Sequence, residues 1–109
     1  MTDKYTLNDD GNPVPCYDLL GWAEWFEQSG AARRIAYDDL GDSVSVSTVF
    51  LGLDHSSGRS VPILWESMVF GGPLDQEQHR YTSRANAVTG HERLVERVRD
   101  SMKSLPERT

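Results

Sequence analysis

The chain has 109 residues, of which 38% are hydrophobic and 26% charged, and a net charge of −6. That length accommodates one core rather than two, and the composition argues against wholesale disorder. No run approaches the roughly 20 apolar residues that a membrane-spanning helix requires. A single cysteine, Cys16, excludes an intrachain disulfide and a zinc site built on several thiolates.

Charge is unevenly distributed. The residues through Asp54 carry ten acids against three bases, a net −7, and the remainder carries eight bases against seven acids. Nucleic-acid binders usually present a basic stripe. The one candidate stripe, on the last helix, is interleaved with acids, so direct nucleic-acid binding is not expected. Met1-Thr2-Asp3-Lys4 is not a basic region followed by an apolar run. No secretory leader is therefore expected, and a cytosolic setting follows as the default.

Tyr5 to Leu7 and Asn12 to Pro15 flank Asn8-Asp9-Asp10-Gly11 and read as a short hairpin, with Pro13 and Pro15 confining their strand to a sheet edge. A helix is expected from about Asp18 to Gln28. Leu19, Leu20, Ala23 and Phe26 form its apolar face with Trp22 beside them, Asp18 stands at its N-terminus, and Ser29-Gly30 stops it. Arg33 to Asp39 reads as a strand and Leu40-Gly41-Asp42 as a turn. The strand expected over Ser43 to Leu53 changes apolar parity, from Val44 and Val46 to Val49, Leu51 and Leu53. Either both faces are apolar, or a bulge near Ser47-Thr48 restores one apolar face.

Asp54 to Ser60 is a polar loop. Val61 to Phe70 is the partner strand, again apolar on both parities, and Gly71-Gly72-Pro73 ends it. His79 to Tyr81 is a candidate last strand. Thr82 or Ser83 caps a closing helix whose stripe is Ala87, His91, Leu94, Val95, Val98 and Met102. On its opposite face, Arg93 with Glu96 and Glu96 with Arg99 are spaced to pair. Residues 104–109 read as a flexible tail after a single domain over 1–103. The fold class is therefore α+β: an antiparallel sheet of four to six strands, with two amphipathic helices on one face.

No phosphate-binding glycine loop, Gly-x-Ser-x-Gly or His-Glu-x-x-His occurs, and no cofactor is expected. The weak catalytic candidates are Asp54, His55, Glu66 and His91, since imidazoles and carboxylates together can share a proton or bind a divalent ion. Simpler readings stand beside these. Asp54-His55 would be a turn in which the carboxylate bonds nearby amides, and His91 a hydrogen-bonded core histidine. Glu66 would face water or pair with Arg33, Arg34 or Arg80. The binding candidates are Trp25 and Trp65, as aromatic anchors, and the turn carboxylates Asp38, Asp39 and Asp42, as an acidic patch for a basic partner surface.

Three segments carry a resemblance: Asn12–Pro15 leading into Leu19-Leu-Gly-Trp-Ala-Glu-Trp-Phe26, then Ser47-Thr-Val-Phe-Leu-Gly-Leu-Asp-His55, then Glu66-Ser-Met-Val-Phe-Gly-Gly-Pro-Leu-Asp75. Tyr81-Thr82-Ser83 and Gly90-His91 fit the same pattern. The chain resembles a family of small bacteriophage and prophage proteins. The resemblance implies a phage origin and the cytoplasm of an infected bacterial host, and it brings no activity or site residue. The expected function is non-enzymatic: binding a host or phage protein, with a host factor or defence complex as a target. The alternatives are a homodimeric structural or assembly protein, whose second sheet face buries against its twin, and a small metal-dependent or nucleotide-processing enzyme.

Overall fold

The computed structural model describes residues 2–57 and 61–103. β1 (Tyr5–Leu7) and β2 (Pro13–Pro15) form the expected hairpin. Asn8 holds its turn, its Oδ1 accepting from the amides of Asp10 and Asn12 at 3.0 and 2.9 Å. α1 (Leu19–Gln28) is followed by a single turn, α2 (Gly30–Arg33). β3 (Arg34–Gly41), β4 (Val44–Phe50), β5 (Trp65–Phe70) and β6 (Gln78–Tyr81) form a four-stranded antiparallel sheet in sequential order, the expected meander. α3 (Arg84–Lys103) closes the described chain. Among the described residues, no helix is long and apolar enough to cross a membrane.

Two expectations about the layers change. The hairpin is a separate two-stranded sheet, joined to the larger one through a bridge between Lys4 and Leu53. The prolines of β2 lack the N–H groups a further strand would need. The helices also share one face of the larger sheet only in part: α1 reaches it through Trp25, which packs on the cluster of Phe50 and Ala87. α3 packs across all four strands of the larger sheet, whereas α1 packs on β1.

α1 is turned relative to the sequence expectation. Leu19 and Leu20 face solvent, Leu20 at 80% exposure, while Trp22, Trp25 and Phe26 are half-buried. The aromatic residues win the inner face because they offer more area and, in Trp22, a polar handle. Trp22 Nε1–H donates to the carbonyls of Tyr5 and Gly52, each at 3.1 Å, and its ring stacks near Phe26. Asp18 occupies the N-cap position but makes no side-chain cap bond. At the other end the Arg33 guanidinium lies 3.7 Å over the Phe26 ring and donates to the Phe26 carbonyl, and burial lowers its pKa.

The turn between β3 and β4 is Asp42-Ser43, with φ of 53° and 62°, the paired positive values of a type I′ hairpin. β4 runs without a bulge against β5. Its buried positions are Val44, Val46, Thr48 and Phe50, so the even parity continues and Thr48 occupies a core site. The bulges lie in β3, between Arg34 and Ala36 and between Asp39 and Gly41. In β5 the buried positions are Trp65, Ser67 and Val69.

α3 carries the expected stripe. Ser83 is its cap, accepting from the Asn86 amide at 3.0 Å. The core falls into two apolar clusters. Val44, Val46, Val69, Leu94, Val95 and Val98 form one, and Phe50, Leu64, Trp65 and Ala87 form the other. Thr48, Ser67 and His91 occupy the intervening positions of β4, β5 and α3, and all three are buried. The proposed tail, 104–109, lies outside the described residues.

Candidate functional site

The polar layer between the two clusters is a continuous hydrogen-bonded chain. Tyr81 Oη–H donates to Ser67 Oγ at 3.0 Å. Ser67 Oγ lies 2.5 Å from Thr48 Oγ1, its direct cross-strand neighbour. Thr48 Oγ1 lies 2.6 Å from His91 Nδ1, and His91 Nε2 lies 2.8 Å from Asp38 Oδ2. Every core strand and α3 contributes one member.

The end groups set the direction of the chain. A carboxylate only accepts, so Nε2 of His91 carries the proton donated to Asp38. In neutral imidazole Nδ1 then accepts, Thr48 donates to it, and Ser67 donates to Thr48. Each group donates to the next, from Tyr81 to Asp38, and no buried hydroxyl is left over. Leaving one of these groups without a partner would cost about 1–3 kcal/mol.

Asp38, His91 and Thr48 thus stand in the order of a carboxylate, base and hydroxyl triad. The hydroxyls of Thr48 and Ser67 are nonetheless wholly buried, and His91 is 3% exposed. A substrate carbonyl cannot reach Thr48, so the arrangement positions strands and helix and offers no nucleophile.

The other candidates are dispersed. Asp54 Oδ1 accepts from the amides of Ser56 and Ile63 at 2.8 and 3.0 Å, as the turn reading expects. Desolvation pushes its pKa up, but the hydrogen bonds from Ser56 and Ile63 and the nearby His55 prevail and leave it lowered. His55 is exposed. Glu66 pairs with Arg80, its direct partner across β5 and β6, at 2.9 Å. Its parity puts it on the sheet face opposite His91, so Asp54, His55, Glu66 and His91 do not converge. Among the described residues, no three His, Cys, Asp or Glu side chains are grouped to hold a metal.

Trp65 lies in the core against Phe50, with ring centroids 5.5 Å apart, and presents no surface to a partner. Among the described residues, its indole N–H has no hydrogen-bond partner. Trp25 is half-buried and meets Phe50 edge-on. Asp38 is committed to His91, Asp42 forms the β3–β4 turn, and Asp39 Oδ1 accepts from the Gly41 amide while remaining exposed.

Sequence reasoning missed two features. One is the exposed apolar run Val14, Tyr17, Leu19 and Leu20, spanning β2 and the start of α1, with Tyr17 at 77% exposure. It was hidden because the leucines match a core-facing stripe. The other is Glu77, which accepts from both Arg97 and His79 and so ties α3 to the β5–β6 connection. Those two bonds, Arg97 first, hold its carboxyl below the usual range despite partial desolvation. The pairings expected within α3, Arg93 with Glu96 and Glu96 with Arg99, are not formed among the described residues. No family model, curated protein or solved structure matches the chain.

Proposed function

We propose that the chain is a small phage accessory protein that acts by binding a host or phage protein in the cytoplasm of the infected bacterium. The observation that carries this reading is the exposed run Val14, Tyr17, Leu19 and Leu20. Exposed large apolar side chains concentrated in one segment are candidates for an interaction site, and these lie in the half of the chain that carries a net −7. Asp18, Glu24 and Glu27 stand within the same helix segment and are all exposed. The matching partner is a basic surface with apolar side chains at its centre. Apolar contact supplies affinity, and charge supplies steering and selectivity.

The test is capture of partners from host lysate by the tagged protein at two salt concentrations, beside a variant with Leu19→Ser and Leu20→Ser. A partner enriched by the wild type and lost from the variant supports the reading. Equal capture by both proteins removes this surface from it.

A further inference from the structure

Among the described residues, the face of the larger sheet opposite α3 has no helix on it, and strand register orders its residues into three rows. The first row crosses Arg34, Val49, Glu66 and Arg80. The middle row holds Tyr37, Ser47, Met68 and Gln78, without charge. The third crosses Asp39, Ser45 and Phe70. Tyr37 is 47% exposed and Phe70 48%. In the first row Glu66 is neutralised by Arg80, while the Arg34 guanidinium stacks on the Tyr37 ring at 4.6 Å. Arg34 and Asp39 make no ion pair among the described residues. The face therefore runs from an uncompensated cation, through an uncharged middle, to an uncompensated anion.

We propose that this face packs on the same face of a second copy of the chain. The two-fold axis runs along the Tyr37–Met68 row. Such an axis lays β3 antiparallel over the partner's β3 and brings each first row over the partner's third row. Arg34 then faces Asp39 of the partner subunit, and the converse pair forms by symmetry. Tyr37 and Met68 meet their own copies at the buried centre of an aligned sheet-on-sheet packing, flanked by Val49 and Phe70. The rim charges fix the register rather than supply most of the affinity. Four strands spaced about 4.8 Å apart and about six residues long cover roughly 300–400 Å². This is below the roughly 800 Å² per partner of a standard interface. The dimer is accordingly weak and reversible. This inference is independent of the exposed run on β2 and α1.

Sedimentation equilibrium from about 5 to about 500 µM, the range in which a weak micromolar association is populated, tests it. The wild type is expected to show a monomer–dimer equilibrium. Arg34→Asp and Asp39→Arg, each alone, should weaken association about tenfold or more by opposing like charges. The double variant R34D/D39R should restore it. Leu20→Ser, remote from the face, should associate as the wild type does, and circular dichroism should report the same fold throughout. A wild type that stays monomeric over the whole range overturns the proposal. So does association unchanged by either single reversal, or a double variant no better than the singles.

Discussion

His91 occupies a position on α3 that its stripe would otherwise give to an aliphatic residue. It is tolerated there because both ring nitrogens find partners, Thr48 on one side and Asp38 on the other. The chain should therefore be sensitive to the loss of a single oxygen. Thr48→Val conserves shape but leaves Nδ1 of His91 and the Ser67 hydroxyl without their partner. It is expected to lower stability by about 1–3 kcal/mol in urea denaturation. Tyr81→Phe, which removes only the first donor, should cost about 0.5–1.5 kcal/mol. If Thr48→Val proved as stable as the wild type, the directed chain would not contribute to folding.

Packing between elements is tight where side chains are absent. Gly90 of α3 lies against Tyr81 of β6, and a Cβ built at Gly90 would stand 2.3 Å from the tyrosine ring. Gly90→Ala is therefore expected to destabilise by about 1–3 kcal/mol through overpacking, although alanine is the better helix former. Gly71 closes on Ser43 in the same way: it has φ of +84°, and an added Cβ would sit 2.2 Å from the Ser43 carbonyl oxygen. Glu77 joins α3 to the β5–β6 connection electrostatically. Its folded pKa is depressed by Arg97 and His79, so its contribution is fully present above the unfolded carboxyl pKa of about 4.3. That contribution is lost as pH falls through the folded value. Glu77→Gln should flatten the acid limb of the stability–pH profile and leave the shape of the profile above pH ~6 unchanged. An acid limb as steep as the wild type's would assign that slope elsewhere, with Asp54, lowered in the same direction, the first alternative.

The whole molecule presents two surfaces with different chemistry. The apolar run on β2 and α1, with Asp18, Glu24 and Glu27 exposed nearby, is the surface proposed for a basic partner, and the open sheet face is the one proposed for a second copy. They are separable by mutation. Leu19→Ser with Leu20→Ser should abolish partner capture while leaving the thermal midpoint within about 2 °C of the wild type, because both side chains already face water. A large drop in midpoint would show instead that α1 packs through its leucines.

Much of the architecture follows from local rules acting along the chain. The turn chemistry at Asn8–Gly11, the glycines after Phe70 and the 3.6-residue stripe of α3 settle the order of elements and the meander. They do so because hairpin turns and amphipathic periodicity are short-range. Asp54 as a turn carboxylate was legible for the same reason, whereas Arg80 was one of three cations open to Glu66 until the β5–β6 register paired them. Tertiary structure alone decided the rest. It turned α1 so that Trp22, Trp25 and Phe26 point inward and Leu19, Leu20 and Ala23 outward, since helical periodicity allows either rotation and only the opposing β1 and Gly52 surface selects one. It set the parity of β4, because Thr48 counts as a core residue only when His91 and Ser67 are there to satisfy its hydroxyl. It also joined Asp38 to His91, 53 residues apart in sequence. No spacing rule links a strand to a helix across two hairpins, and packing against the sheet is what brings them within hydrogen-bonding distance.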